Sequence, residues 1–291
     1  MSKFLRCFIY ICFLLLSTTV FSNPIFVCSA ENFYGNVAKM IGGKYVKVSS
    51  IISNPGADPH LFSISPKNAI EVTKAQIIIY NGAGYDPWMT QLLSSQPGNN
   101  KLAVIDVADL VGIEKGNNPH IWYKPETFQI LAKFLAEKFS AIQPGNKTYF
   151  EDNLKSFNTK YQAVFNLINT IKSKHSGISV IATEPIFSYM SGALGFDMKG
   201  KKFQQVIMNG SEPSPKMTAE FINEIKNKKV KILFYNSQVT SSTTKNILNL
   251  AQQNNIAVVG VPETMPNNNN VIDWLISVLK EIENTLNPKQ Q

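Results

Sequence analysis

One stretch limits what this chain can fold into more than any other. Across 146–173 the residues Phe150, Leu154, Phe157, Tyr161, Val164, Ile168 and Ile171 recur at alternating steps of four and three. That is the single apolar stripe of an amphipathic helix packed on a core. Pro144-Gly145 breaks the chain just before it. About 28 residues at 1.5 Å each give a helix of roughly 42 Å, enough to cross a whole domain. The stripe is ordinary, but the length marks a spine between two lobes.

On both sides of the spine, β-like runs alternate with helical ones. Before it, runs at 26–29, Val46–Ile52, 76–80 and 102–107 interleave with helical patterns from Glu31, over Pro66–Lys74, around Trp88 and Leu92, and from Pro125 to Ile142. After it, Ser179–Ala182, 232–235 and Ala257–Val261 alternate with helices opening near Ser214-Pro215 and Ser241, and Val271–Leu286 is an amphipathic terminal helix. Repeated βα units of this kind build mostly parallel sheets. The expected fold class is α/β: two lobes, each a mostly parallel sheet flanked by helices, joined by one long spine helix. The expected divisions are a signal peptide at 1–22, an N-terminal lobe at 23–145, the linking helix at 146–174 and a C-terminal lobe at 175–291.

The signal peptide is read from three features. Lys3 and Arg6 precede an unbroken apolar run over 7–16, and Val20 and Ser22 supply the residue types expected before a cut ahead of Asn23. Of the three cysteines, Cys7 and Cys12 leave with it; Cys28, in a β-like run, reads as a buried small hydrophobe. Neither Cys12 nor Cys28 has the small residue before it that lipid attachment requires, so the expectation is a soluble periplasmic monomer. The formal charge is +8. Its lysines are scattered apart from 199–202 and 226–231, and no aromatics interleave them as a nucleic-acid groove requires.

Proline punctuation then singles out the chemistry-bearing loops. His60 and His120, two of only three histidines, both follow proline and precede apolar residues, in 54–66 (NPGADPHLFSISP) and 118–122 (NPHIW). Glu184 and Glu263 also abut proline-containing turns after β-runs, in TEP and PETMP. Two imidazoles and two carboxylates, two from each half, form a plausible first set of ligands for a divalent transition metal. Spacing alone leaves this open, because each residue also reads as an ordinary turn residue and no CxxC or HExxH motif accompanies them.

Several segments together resemble the metal-binding receptors of manganese and zinc ABC importers, the cluster A-I, ZnuA/PsaA-like solute-binding proteins. They are GADPH (56–60), NGAGYDPWM (81–89), NPHIWY (118–123), TEPIFSYMSGALGF (183–196), EPSP (212–215) and VVGVPETMP (258–266), in that order and around the long helix. The resemblance spans essentially all of the chain after 22. It implies two α/β lobes with one metal ion between them, held by His60, His120, Glu184 and Glu263, with Asn81, Tyr85 and Trp122 supporting the ligands. Asp273, the rival for the fourth position, lies inside the terminal helix and reads as a surface carboxylate. His175 reads as a cation at the spine's C-terminal end.

The same resemblance implies no catalysis, and an ABC permease with its ATPase as partners at the inner membrane. Zinc receptors of this group usually carry a third histidine where this chain has Glu184, and often a His-rich acidic loop. This chain has neither, so Mn2+ is favoured, Zn2+ next and Fe2+ after them. The alternatives weighed are an exported metal-dependent hydrolase, for which no compact signature of a general base exists, and an adhesin-like surface protein, for which no repeat or anchor exists.

Overall fold

A computed structural model describes residues 23–54, 62–95, 103–238 and 241–287. The first half holds β1 (Ile25–Glu31), α1 (Asn32–Gly42), β2 (Val46–Ile52), α2 (Pro66–Lys74), β3 (Ile77–Tyr80), α3 (Pro87–Ser94), β4 (Ala103–Asp106), α4 (Val107–Leu110) and α5 (Thr127–Ile142). Then comes α6 (Lys147–His175). The second half holds β5 (Ser179–Ala182), α7 (Ser188–Ala193), β6 (Asp197–Lys199), α8 (Lys201–Met208), α9 (Pro215–Lys226), β7 (Ile232–Asn236), α10 (Ser242–Gln253), β8 (Ala257–Val261) and α11 (Val271–Leu286).

Both sheets are four-stranded and parallel, in the orders β2-β1-β3-β4 and β6-β5-β7-β8. Chain direction across each sheet therefore reverses between its two middle strands, β1 and β3 in one and β5 and β7 in the other. In open α/β sheets ligands bind beyond the carboxyl ends of strands at that reversal. The expected fold class is the observed one. Because the two orders correspond strand for strand, the halves share an architecture that no alignable sequence repeat announces.

The spine helix α6 is 29 residues long and buries Phe150, Phe157, Tyr161, Val164, Ile168 and Ile171. Leu154, the remaining stripe residue, is partly buried against the same core. Tyr161 Oη donates to the Pro125 carbonyl at 2.8 Å, and Asn153 Nδ2 donates to the Ile41 carbonyl at 2.8 Å, fixing the helix to the first half. His175 is its last residue.

One apolar core runs through both halves without interruption. Its aromatic seam passes from Phe33 to Trp122 (5.2 Å between centroids) and Trp274 (5.8 Å), from Trp274 to Tyr123 (5.5 Å), and from Tyr123 through Phe187 to Phe234 (5.0 Å each). Hydrogen bonds cross at the same level: Tyr123 Oη donates to the Pro262 carbonyl at 2.7 Å and Asn32 Nδ2 to the Met265 carbonyl at 2.7 Å. Separating the halves would expose this seam. Cys28 is buried and unbridged, as expected.

A shared core predicts shared unfolding. Urea transitions followed by tryptophan fluorescence and by far-ultraviolet circular dichroism are expected to coincide as one step. Phe187→Ala, which opens the middle of the seam, is expected to cost about 3–5 kcal/mol on both probes. Two separated transitions would contradict the single core.

Candidate metal centre

The site begins where β3 ends. Asn81 to Asp86 form a tight turn in which Gly82, Ala83 and Gly84 all take positive φ, at 76°, 52° and 86°. Asp86 holds it closed: the Asn81 amide donates to Asp86 Oδ2 at 2.7 Å and the Gly82 amide to Oδ1 at 3.0 Å. Pro87 then opens α3 at its first position. Gly82 is required here twice over, since its φ favours glycine and a Cβ would run into the Asp106 carboxylate.

This turn presents Asn81 and Tyr85, both buried. Asn81 accepts from Tyr34 Oη at 2.6 Å through Oδ1 and donates through Nδ2 to the Pro119 carbonyl at 2.9 Å. It therefore braces the peptide directly before His120. Tyr85 reaches into the second half, where its hydroxyl donates to Glu263 Oε1 at 2.9 Å. Burial and the Glu263 charge push the Tyr85 phenol well above its ordinary pKa, so it remains a donor.

His120 is fully buried, and its tautomer follows from its neighbour. Asn118 Nδ2 donates to the Pro185 carbonyl at 2.7 Å, which fixes Oδ1 as the acceptor at its other end. That oxygen takes the His120 amide at 3.1 Å and lies 2.6 Å from Nδ1. Nδ1 must carry the hydrogen, so the neutral ring would have its lone pair on Nε2, the form a metal ligand requires. Trp122 packs on the same ring, its centroid 5.2 Å from that of His120 and 4.9 Å from that of Tyr85.

The second half contributes its own carboxyl-end loops. Glu184 follows β5 in extended conformation, half-buried, directly before the Pro185 whose carbonyl Asn118 holds. Tyr189 Oη donates to the Asn118 carbonyl at 2.7 Å and closes the same junction. Glu263 is fully buried; Asn236 Nδ2, at the end of β7, donates to its Oε2 at 2.7 Å. Gln238 Oε1 accepts both the Glu263 and Thr264 amides at 2.8 Å, setting the turn that aims the carboxylate.

These contacts link His120, Glu263 and the Glu184 junction through Tyr85 and Asn118. His60 lies outside the described residues, and among the described ones no three His, Cys, Asp or Glu side chains are grouped tightly enough to hold an ion. Asp273 stands apart, exposed in the first turn of α11, where it accepts from Asn270 Nδ2. Asn118, Asn236, Gln238 and Asp86 are the participants that reading the sequence missed. The NPH motif contained Asn118, but only a structure shows its side chain holding both loops.

Two four-stranded parallel sheets flanked by helices, with a long helix between them and a polar site at their strand ends, define a two-lobed substrate-binding protein. The chain belongs to the family of zinc-uptake complex component A, periplasmic, which matches residues 27–285. These are substrate-binding proteins of ABC transporters and not enzymes. The chain is similar to the manganese ABC transporter substrate-binding lipoprotein PsaA of Streptococcus pneumoniae, 27% identical over 257 residues, covering 82% of this chain and 80% of PsaA. It is similar also to the iron ABC transporter substrate-binding lipoprotein MtsA of Streptococcus pyogenes, 29% identical over 238 residues, covering 76% and 74%. In fold it resembles a manganese-bound mutant of a periplasmic metal binding protein from Candidatus Liberibacter asiaticus (TM-score 0.73, 20% identity, 90% of this chain and 99% of that one). The periplasmic zinc binding protein TroA from Treponema pallidum matches as well (TM-score 0.73, 17% identity, 91% and 98%).

Removing the phenol hydroxyl in Tyr85→Phe deprives a buried carboxylate of a donor. Metal-free protein is expected to lose about 1–3 kcal/mol in urea unfolding. Wild-type stability in this variant would show that the bond to Glu263 contributes nothing.

Proposed function

We propose that this protein captures one divalent transition-metal ion outside the inner membrane and hands it to an ABC permease driven by its ATPase. The ligands are His60, His120, Glu184 and Glu263. The single observation supporting this most strongly is the Asn118 side chain, which fixes the Nε2 lone pair of His120 and grips the peptide beside Glu184. Asn81, Tyr85 and Trp122 orient this set and exclude water. On this reading residues 1–22 are a cleaved signal peptide, and 23–145 and 175–291 are the two lobes joined by 146–174 in a periplasmic monomer.

Two imidazoles and two carboxylates offer a harder donor set than three imidazoles and one carboxylate. That favours Mn2+ over Zn2+ relative to a histidine-rich site, with Fe2+ third. Absolute affinity still rises along the divalent series towards zinc, so purified protein is expected to take up Zn2+ as well. The continuous aromatic seam supports capture by local loop adjustment around fixed lobes, with the ion as cargo and no position left for chemistry.

Titration calorimetry of metal-stripped protein with Mn2+ and with Zn2+ tests the ligand set. His120→Ala, Glu184→Ala and Glu263→Ala are each expected to weaken binding by more than ~100-fold, beyond the 10–100-fold that outer partners carry. A folded variant with unchanged affinity for both ions is not missing a ligand. Binding requires neutral imidazoles and ionised carboxylates, so wild-type affinity is expected to fall as pH drops below about 6, where histidine takes up a proton. Affinity flat from pH 7 to 5 would exclude histidine from the site.

A further inference from the structure

The lysine run at 226–231 has no part in the metal site, and the fold gives it neighbours that are distant in sequence. α9 ends at Lys226 and the chain enters β7 at Ile232; α6 ends at His175 and the chain enters β5 at Ser179. β5 and β7 lie side by side and parallel, with Val180 opposite Ile232. Just before them, the Lys231 amide donates to the Ser179 carbonyl at 2.8 Å. The two turns therefore meet at the amino end of the second sheet. They bring Lys172 and Lys174 to the same end as Lys226, Lys228, Lys229 and Lys231, and all six are exposed.

Little negative charge offsets them. Glu224 pairs with Lys229 at 3.5 Å, and Asp197, which opens β6, pairs with Lys199. Among the described residues no carboxylate lies within ion-pair distance of the remaining five. The next turn along the sheet, Asn254-Asn255-Ile256, is uncharged, and beyond it the Ala257 amide donates to the Lys231 carbonyl at 3.3 Å. A helix dipole accounts for lysines in a last turn, as at Lys172, Lys174 and Lys226. Lys228, Lys229 and Lys231 lie beyond α9 and have no such reason. Lys228 even takes a left-handed φ of 53°, just past the helix end, where glycine is favoured.

We propose that this lysine face is a membrane-docking surface that holds the protein reversibly on the anionic phospholipid headgroups of a bilayer. Its composition favours that partner over a protein. Protein interfaces are enriched in aromatic residues and arginine and depleted in lysine. Arg6 is the one arginine of the chain. Among the described residues the large exposed apolar side chains are Ile64, Ile70, Val104 and Ile142, none of them in these turns. Lysine ammoniums are compact, strongly hydrated point charges. They suit a diffuse field of headgroup phosphates, where each adds to adsorption within a Debye length of the surface.

The inference shares with the metal reading only the location beside the inner membrane. Glu184 and Glu263 follow the carboxyl ends of β5 and β8, at the other end of the same sheet. About five residues of strand at 3.3 Å each, roughly 16 Å, separate the two ends. That exceeds the Debye length of about 8 Å at physiological salt, so adsorption and metal binding are separable. Docking by this end leaves the metal end in solution, free to load.

Sedimentation of the chain from residue 23 onward with lipid vesicles tests the proposal. At about 0.1 M salt it is expected to pellet with vesicles of phosphatidylglycerol and phosphatidylcholine in equal parts, and at about 1 M salt to be released. With pure phosphatidylcholine it is expected to stay in solution. Replacing Lys226, Lys228, Lys229 and Lys231 by glutamine is expected to weaken binding at least ~10-fold, and replacing Lys172 and Lys174 alone at least ~3-fold. Replacing Lys133, Lys138, Lys147 and Lys155 on α5 and α6 removes as much charge as the first set and is expected to change binding less than ~2-fold. Mn2+ affinity by calorimetry is expected to stay within about twofold in every variant.

No pelleting with anionic vesicles, equal pelleting with neutral ones, or equal losses in the two four-lysine sets would overturn the proposal. So would release by inorganic phosphate at constant ionic strength, the mark of a discrete anion site. If the first set does not fold, the Lys172→Gln, Lys174→Gln pair decides. A wild type that pellets with anionic vesicles but binds neither Mn2+ nor Zn2+ supports the docking surface and overturns the metal reading alone.

Discussion

The arrangement depends on a buried carboxylate shared between two halves of the chain. Glu263 rises from the second sheet, and its two oxygens are held by a phenol from the first half and an amide from the second. Removing a carboxylate from water costs several kcal/mol even after the protein relaxes. Two neutral donors offset part of that cost, and a divalent cation would offset far more. The fold thus spends stability on aiming negative charge at the junction of the halves, consistent with a site whose cargo is a cation.

Rigidity around that carboxylate comes from backbone chemistry and from aromatic packing. The 81–86 turn can reach from β3 towards the other half only because consecutive residues adopt left-handed backbone and Asp86 pins their amides. Trp122, Phe33, Tyr123 and Trp274 form a dry wall behind it. Loops backed this way are held near one geometry, which would lower the ordering cost of binding an ion between them. The cost appears in the electrostatics: Glu31, Asp86 and Glu263 are all buried, and burial raises Glu31 well above its ordinary pKa and Asp86 to about 6.

Much of the fold was legible because its signals are periodic. The stripe from Phe150 to Ile171 announced α6, and Val46–Ile52, Ser179–Ala182, Ala257–Val261 and Val271–Leu286 were bounded by turn residues that left little choice of ends. Ser65-Pro66 announced α2, and the structure closes it with a reciprocal bond between Ser65 and Asn68. Less was legible where elements are short: β6 has three residues, too few for alternation to show. The helix opening near Pro125 starts at Thr127, because the preceding turn is held by the Thr127 hydroxyl bonded to the Ile121 carbonyl. In the site, proline-flanked histidines and glutamates were visible as types. Asn118 and Gln238 were not, since their work lies in contacts between residues far apart in the chain, such as Asn118 with Pro185.

Crystals grown from protein loaded separately with Mn2+ and Zn2+, measured at each metal's absorption edge, test the central claim most directly. The account predicts one anomalous peak per chain, with His120 Nε2 about 2.0–2.1 Å from the zinc and carboxylate oxygens of Glu184 and Glu263 in the same shell, joined by His60. A peak elsewhere, or no peak within bonding distance of His120 and Glu263, would contradict it.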